Sequence, residues 1–119
     1  MKNTHKQAIN AYNILTSLGK RVTGKTAYDL FQLKLNLKSI YDFQSEEELK
    51  LVEKYHAKVK DNGSVVIDDP EERKAFIEER EKLENLECDI DHITLAIDDI
   101  PDITMNEIEA LYSFVDFIS

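Results

Sequence analysis

Apolar residues recur at helical spacing between Thr26 and Val59, at Leu30, Leu33, Leu37, Ile40 and Tyr41 and then at Leu51, Val52, Tyr55 and Val59. The pattern predicts one long amphipathic helix over 26–57. Its stripe is breached at Gln44 and Glu48, and Ser45 with Glu48 forms a capping-box pattern at which a second helix could restart. A continuous helix is the expectation, because Glu46, Glu47 and Glu48 are good helix formers and neither Pro nor Gly intervenes. So long a rod in so short a chain leaves only short elements to cover its stripe, so they are expected to fold back along it.

Thr4 and Gln7 form a capping box ahead of Ala8, Ala11, Tyr12, Leu15 and Leu18, which predicts a helix over 4–18 stopped at Gly19. Beyond the long helix, Asp61-Asn62-Gly63 separates Val59 from Val65-Val66-Ile67. Asn and Gly both tolerate positive φ, so this reads as a hairpin with strands over 58–61 and 64–68. Asp69-Pro70-Glu71-Glu72 supplies an N-cap, a proline at the first helical position and acids facing the dipole, predicting a helix over 70–87 that packs on Phe76 and Leu83. Ile93, Leu95 and Ile97 alternate with Thr94 and Ala96, as in a half-buried strand within 90–97, expected to pair with the hairpin. Pro101 ends it. Thr104 and Glu107 then form a capping box ahead of Ile108, Leu111, Tyr112, Val115 and Ile118, predicting a last helix over 104–118.

The fold class is therefore α+β and mainly helical: one long central helix, three shorter helices and a small antiparallel sheet, in a single domain over residues 1–119. The expected core comprises Tyr12, Leu15, Leu30, Leu33, Leu37, Ile40, Leu51, Tyr55, Ile93, Leu95, Leu111 and Val115. A chain of 119 residues can bury roughly two thirds of its unfolded surface, so no staple is required. The single cysteine, Cys88, excludes an internal disulfide. No apolar run approaches the roughly 18 residues of a membrane span, and Met1 to Gln7 is polar, unlike a signal peptide. The cytoplasm is the expected compartment, without membrane association.

Charge changes this picture. The net charge of −9 divides into 11 Lys/Arg and 6 Asp/Glu over residues 1–60, against 4 and 18 over residues 61–119. Such asymmetry marks either two halves that attract one another or an acidic surface directed at a basic partner. The candidate surface comprises Asp98, Asp99 and Asp102 with Glu71, Glu72, Glu78, Glu79 and Glu81. An alternative site is the apolar group Tyr28, Phe31 and Leu35, which lies on a different face of the long helix from its main stripe. Lys20, Arg21 and Lys25 are too few, and too free of interleaved aromatics, to predict direct nucleic-acid binding.

The most tempting chemical motif is Gly19-Lys20-Arg21-Val22-Thr23-Gly24-Lys25-Thr26, which has the letters of a phosphate-binding loop, with Val65-Val66-Ile67-Asp68 as an acidic second motif. That chemistry needs a strand leading through the glycines into a helix, so that successive amides face phosphate. The residues before Gly19 read as a helix instead. Cys88, Asp89, Asp91 and His92 suggest a nucleophile and base, but on a strand Cys88 and His92 stand about 13 Å apart. The three histidines, His5, His56 and His92, lack ligand spacing, and Asp98, Asp99 and Asp102 lack the turn glycine of a calcium loop. No metal or cofactor is expected.

Ala8-Ile9-Asn10, the Gly-Lys hinge, Leu51-Val52-Glu53-Lys54-Tyr55 and Lys60-Asp61-Asn62-Gly63 resemble a family of small bacteriophage proteins of unknown function, over most of the chain. The resemblance implies a phage or prophage origin and action inside the infected bacterium, with no catalytic residues carried over. In that family the hinge resembles a Lys-rich loop rather than a phosphate cradle. The expected function is that of a small acidic, non-enzymatic interaction protein that binds a host or phage protein, such as a host-defence component. Self-association is compatible with this reading. The alternative is a nucleotide-binding or nucleic-acid-linked protein acting through Gly24-Lys25-Thr26.

Overall fold

The computed structural model describes residues 3–119. Its organising element is α2, Gly24–Lys54, an uninterrupted helix of 31 residues. At 1.5 Å per residue it is about 46 Å long, close to the 51 Å long dimension of the molecule. It starts two residues before the expected Thr26, where Gly24 takes a φ of 65°, and it passes Ser45 without a break. At its far end His56 adopts a φ of 50°. There the Ala57 amide donates to Val52 O at 2.9 Å and the His56 amide to Glu53 O at 3.3 Å. This is a Schellman motif in which His56 takes the left-handed position that glycine normally fills.

Two apolar cores sit along this one rod. In the larger, α1 (His5–Leu18), started by the Thr4–Gln7 capping box, presents Ala8, Ala11, Leu15 and Leu18 to Leu30, Leu33, Leu37 and Ile40 of α2, with Leu95, Ile100, Leu111, Phe114 and Val115 closing it. In the smaller, Leu51 of α2 meets Ile67 and Phe76, surrounded by Val52, Tyr55, Ala57, Val65 and Leu83. Phe76 and Leu83 come from α3, Pro70–Glu84, whose N-cap Asp69 accepts from the amides of Glu71 and Glu72. Of the expected core, Tyr12, Tyr55 and Ile93 are half-buried and the others are buried.

Gln44 lies between the two cores and is only 2% exposed. Its Nε2 donates to Leu83 O at 2.6 Å and lies 3.1 Å from His5 Nδ1. The polar breach in the α2 stripe is therefore a junction: it adds a side-chain donor to the Leu83 carbonyl, which already accepts from the Leu86 amide at 3.2 Å, and touches the first turn of α1. Burial holds His5 below its ordinary pKa, which favours the neutral ring with a lone pair free to accept from Gln44.

Strand pairing differs from the sequence expectation. β1 (Asn3–Thr4) pairs antiparallel with β4 (Glu87–Cys88), and β2 (Lys58–Val59) antiparallel with β3 (Val65–Val66). β5 (Ile93–Ala96), expected to join the hairpin, instead pairs parallel with β6 (Val115–Ile118), and the three ladders are separate. The last helix, α4, accordingly spans Met105–Leu111 rather than reaching 118. Leu111, Val115 and Ile118 fit a helical period, but Val115, Asp116 and Phe117 also alternate buried, exposed and half-buried. Pairing with β5 decides the ambiguity, since four residues are too few for periodicity to do so. In the hairpin only Gly63 takes positive φ, at 85°. Its amide donates to Lys60 O at 2.9 Å and the Lys60 amide to Ser64 O at 2.8 Å, a turn followed by a glycine bulge.

The His56 conformation yields a stability test. Left-handed backbone costs a non-glycine residue roughly 1–2 kcal/mol, partly offset by the greater freedom glycine has when unfolded. His56→Gly is expected to stabilise the protein by about 0.5–1 kcal/mol in denaturant titration. A loss of stability would show that the imidazole makes a contribution larger than the strain.

Candidate functional site

At the hinge, α1 ends at Leu18 and the chain turns through Gly19 to Thr23 into α2. A helix therefore leads into Gly24-Lys25-Thr26, where a phosphate cradle requires a strand. Lys25 Nζ donates to Asp29 Oδ2 at 2.8 Å, one turn along the same helix, and this hydrogen bond raises its pKa above the ordinary lysine value. The neighbouring Arg21 reaches across to α4: Nη1 lies 2.6 Å from Glu107 Oε2 and Nη2 donates to Asp102 O at 2.5 Å. The hinge cation thus ties the α1–α2 turn to the start of α4. Glu107 is buried because it also serves the helix cap, its Oε1 accepting from the Thr104 amide at 2.9 Å. The Arg21 hydrogen bond, followed by that of Thr104, holds its carboxyl below the ordinary glutamate range.

The structure places the candidate acids in unlike settings. Glu79 is half-buried and accepts from Lys54 Nζ at 2.8 Å. That bond, followed by one from Tyr55, lowers its pKa, so Glu79 ties α3 to α2. Glu71, Glu72, Glu78 and Glu81 are exposed, but their helix also carries Arg73, Lys74, Arg80 and Lys82. Asp98, Asp99 and Asp102 are exposed around the turn between β5 and α4. The acidic field is concentrated there, because residues 83–119 contain no Lys or Arg. Asp89, Asp91, Glu109 and Asp116 are also exposed and belong to the same cation-free third of the chain. That absence is legible in the sequence, and it separates these acids from the mixed charges of α3.

A cleft of about 350 Å³ borders β6 and is lined by Asn3, His92, Tyr112, Ser113, Asp116 and neighbours. His92 Nδ1 sits 3.2 Å from Asp116 Oδ1. Ser113 shares the cleft, but among the described residues no hydrogen bond joins its hydroxyl to His92, so the relay of nucleophile, base and orienting acid is incomplete. Cys88 does not line this cleft; its thiol is directed at Thr4 O at 3.8 Å. Burial, with Asp89 beside it, pushes that thiol up and keeps it protonated. Among the described residues no three His, Cys, Asp or Glu side chains converge to hold a metal ion, and no helix is long and apolar enough to cross a membrane.

Tyr28, Phe31 and Leu35 of α2 remain exposed. Phe31 also borders a cleft of about 210 Å³ between α1 and α2, lined by Leu15, Thr16, Val22, Ala27 and Lys34.

The Arg21–Glu107 contact has a pH signature. Because the folded carboxyl titrates below its ordinary value of 4.5, its stabilisation is complete above that value and is lost as pH falls through the folded pKa. Arg21→Gln is expected to cost about 1.5–3 kcal/mol at neutral pH, with the gap from the unmutated protein closing in acid. A gap of constant size across the acid range would mean that Arg21 acts through packing alone.

Compared with protein-family models, curated proteins and solved structures, the chain has no match.

Proposed function

We propose that this is a small acidic, non-enzymatic interaction protein of phage or prophage origin that works in the bacterial cytoplasm by binding a basic host or phage protein, such as a host-defence component. The observation that carries the reading is the set of exposed acids Asp89, Asp91, Asp98, Asp99, Asp102, Glu109 and Asp116, in a stretch of chain with no Lys or Arg of its own, with Arg21 and Lys25 of the hinge the cations at its edge. The buried acid of this third, Glu107, is already matched by Arg21, so the exposed acids remain to face a partner. Such a field accelerates encounter with a cationic surface and makes the rate depend on salt. The origin rests on the resemblance carried by Ala8-Ile9-Asn10, the hinge and the Lys60-Asp61-Asn62-Gly63 turn.

The nucleotide reading is weaker, since the hinge follows a helix and Lys25 is engaged by Asp29. The exposure of Tyr28, Phe31 and Leu35 favours an apolar second surface on α2.

Affinity capture from a bacterial lysate followed by mass spectrometry tests the reading, with Asp98→Lys/Asp99→Lys and Phe31→Ala run beside the unmutated chain. The expected result is a basic protein retained by the unmutated chain and by Phe31→Ala. With the double reversal its association should be slower, by about ten-fold at low salt, with a flatter salt dependence. Capture indifferent to the reversal and abolished by Phe31→Ala would transfer the site to α2. A thermal shift in Mg-ATP that disappears in Lys25→Ala would favour the nucleotide reading instead.

A further inference from the structure

The exposed face of α2 carries a second pattern beneath its core stripe. Tyr28, Leu35, Asp42 and Leu49 recur at every seventh residue, and Phe31, Lys38, Ser45 and Val52 follow each of them by three. This is the spacing of the first and fourth positions of a heptad. On a straight helix such a row drifts only about 20° per heptad, so it stays on the side opposite Leu30, Leu33, Leu37 and Ile40. Burial agrees: Tyr28 is 63% exposed, Phe31 56%, Leu35 50% and Leu49 60%. Lys38 and Asp42 are exposed between them, and Val52 is half-buried. Four large apolar side chains thus stand in water along one line, flanking a central charged pair.

We propose that α2 pairs through this row with α2 of a second copy of the chain, antiparallel about a two-fold axis near Ile40 and Tyr41. An antiparallel seam sets each first position against a fourth position of its partner. The register centred there places Phe31 on the second copy's Leu49, Leu35 on its Ser45 and Lys38 on its Asp42, each pair occurring twice by symmetry, while Val52 at the end of the row stays packed against the smaller core.

Charge selects this arrangement. The first half of α2 carries Lys25, Lys34 and Lys38 against one acid, Asp29, whereas Asp42, Glu46, Glu47, Glu48 and Glu53 lie in its second half. A parallel, in-register pair would stack like on like. The antiparallel pair crosses the halves, bringing Lys34, which lies over the Tyr12 ring within its own chain, to the flank of the second copy's Glu48, and Lys25, bonded to Asp29, to that of its Glu53. With Lys50 and Lys54 included, α2 is close to neutral, so it is the face on which a chain of net charge −9 repels its own copy least. The central Lys38–Asp42 layer, now an ion pair within one helix at 2.8 Å, fixes the register as buried polar layers do in other helix pairs. The inference does not depend on the acidic-partner reading, since the Asp98–Asp99 turn lies outside the seam.

Sedimentation velocity on the full chain tests it. The expected species is a dimer, with Phe31→Asp a folded monomer of unchanged circular dichroism. Lys38→Asp should weaken the dimer by about ten-fold or more, and Lys38→Asp/Asp42→Lys should restore it. In a Cys88→Ser background, oxidising a mixture of Phe31→Cys and Leu49→Cys chains should give the mixed disulfide, and neither chain alone should cross-link. A monomer at the highest soluble concentration, a dimer that survives Phe31→Asp, or a Phe31→Cys chain that cross-links to itself would each overturn the proposal.

Discussion

A single helix about as long as the molecule dictates how everything else is arranged. α2 spans nearly the whole long dimension, and a rod of that length cannot be enclosed by the remaining 88 or so residues as one continuous core. The chain instead builds two cores, one per end, and joins them where the α2 stripe turns polar at Gln44. A leucine at that position would extend the apolar stripe but remove the side-chain hydrogen bond that ties α2 to the end of α3 at Leu83 O. The Gln44 amide nitrogen reaches this carbonyl and His5, whereas its Oε1 is buried without a hydrogen-bond partner among the described residues, so the junction is held by the donor side of the amide at a desolvation cost on the other.

The same geometry distributes charge. Cations near the hinge are consumed close to home: Arg21 by Glu107 and Asp102 O, Lys25 by Asp29 and Lys38 by Asp42. Lys54 likewise holds Glu79 against α2. The attraction between the basic first half and the acidic second half is therefore real, but limited to a few contacts. Most acids of residues 83–119 stay in water, because no cation is present in that stretch and few from the first half reach it. Apart from Arg21–Glu107, whose carboxylate is buried, these surface ion pairs are worth little to stability individually; their consequence is the field that remains unneutralised, a property of encounter rather than of fold.

Much of the architecture was legible in sequence because it rests on local chemistry. The capping boxes at Thr4 and Thr104, the Asp69-Pro70 start and the glycine turn at Gly63 each form. What local chemistry could not reveal was the pairing. The span of β6 reads as helix in sequence because Leu111, Val115 and Ile118 satisfy both periods over so short a stretch, and only β5, some twenty residues earlier, resolves the choice. The two-residue strands β1 and β4 leave too few positions for any period to register. Among the candidate acids, sequence could not separate Glu79, which α2 captures, from Glu78 and Glu81, which it does not. That distinction depends on where Lys54 lies in three dimensions.

The dependence of both cores on one unbroken rod is tested most directly by native-state hydrogen exchange across α2. If Gln44 locks the two cores into one cooperative unit, the amides from Leu37 through Leu51 open only with global unfolding, sharing one free energy and one denaturant dependence. Exchange around Gln44 to Glu48 at a distinctly lower free energy, with protected amides on either side, would contradict this and reveal two independent halves hinged at the polar junction.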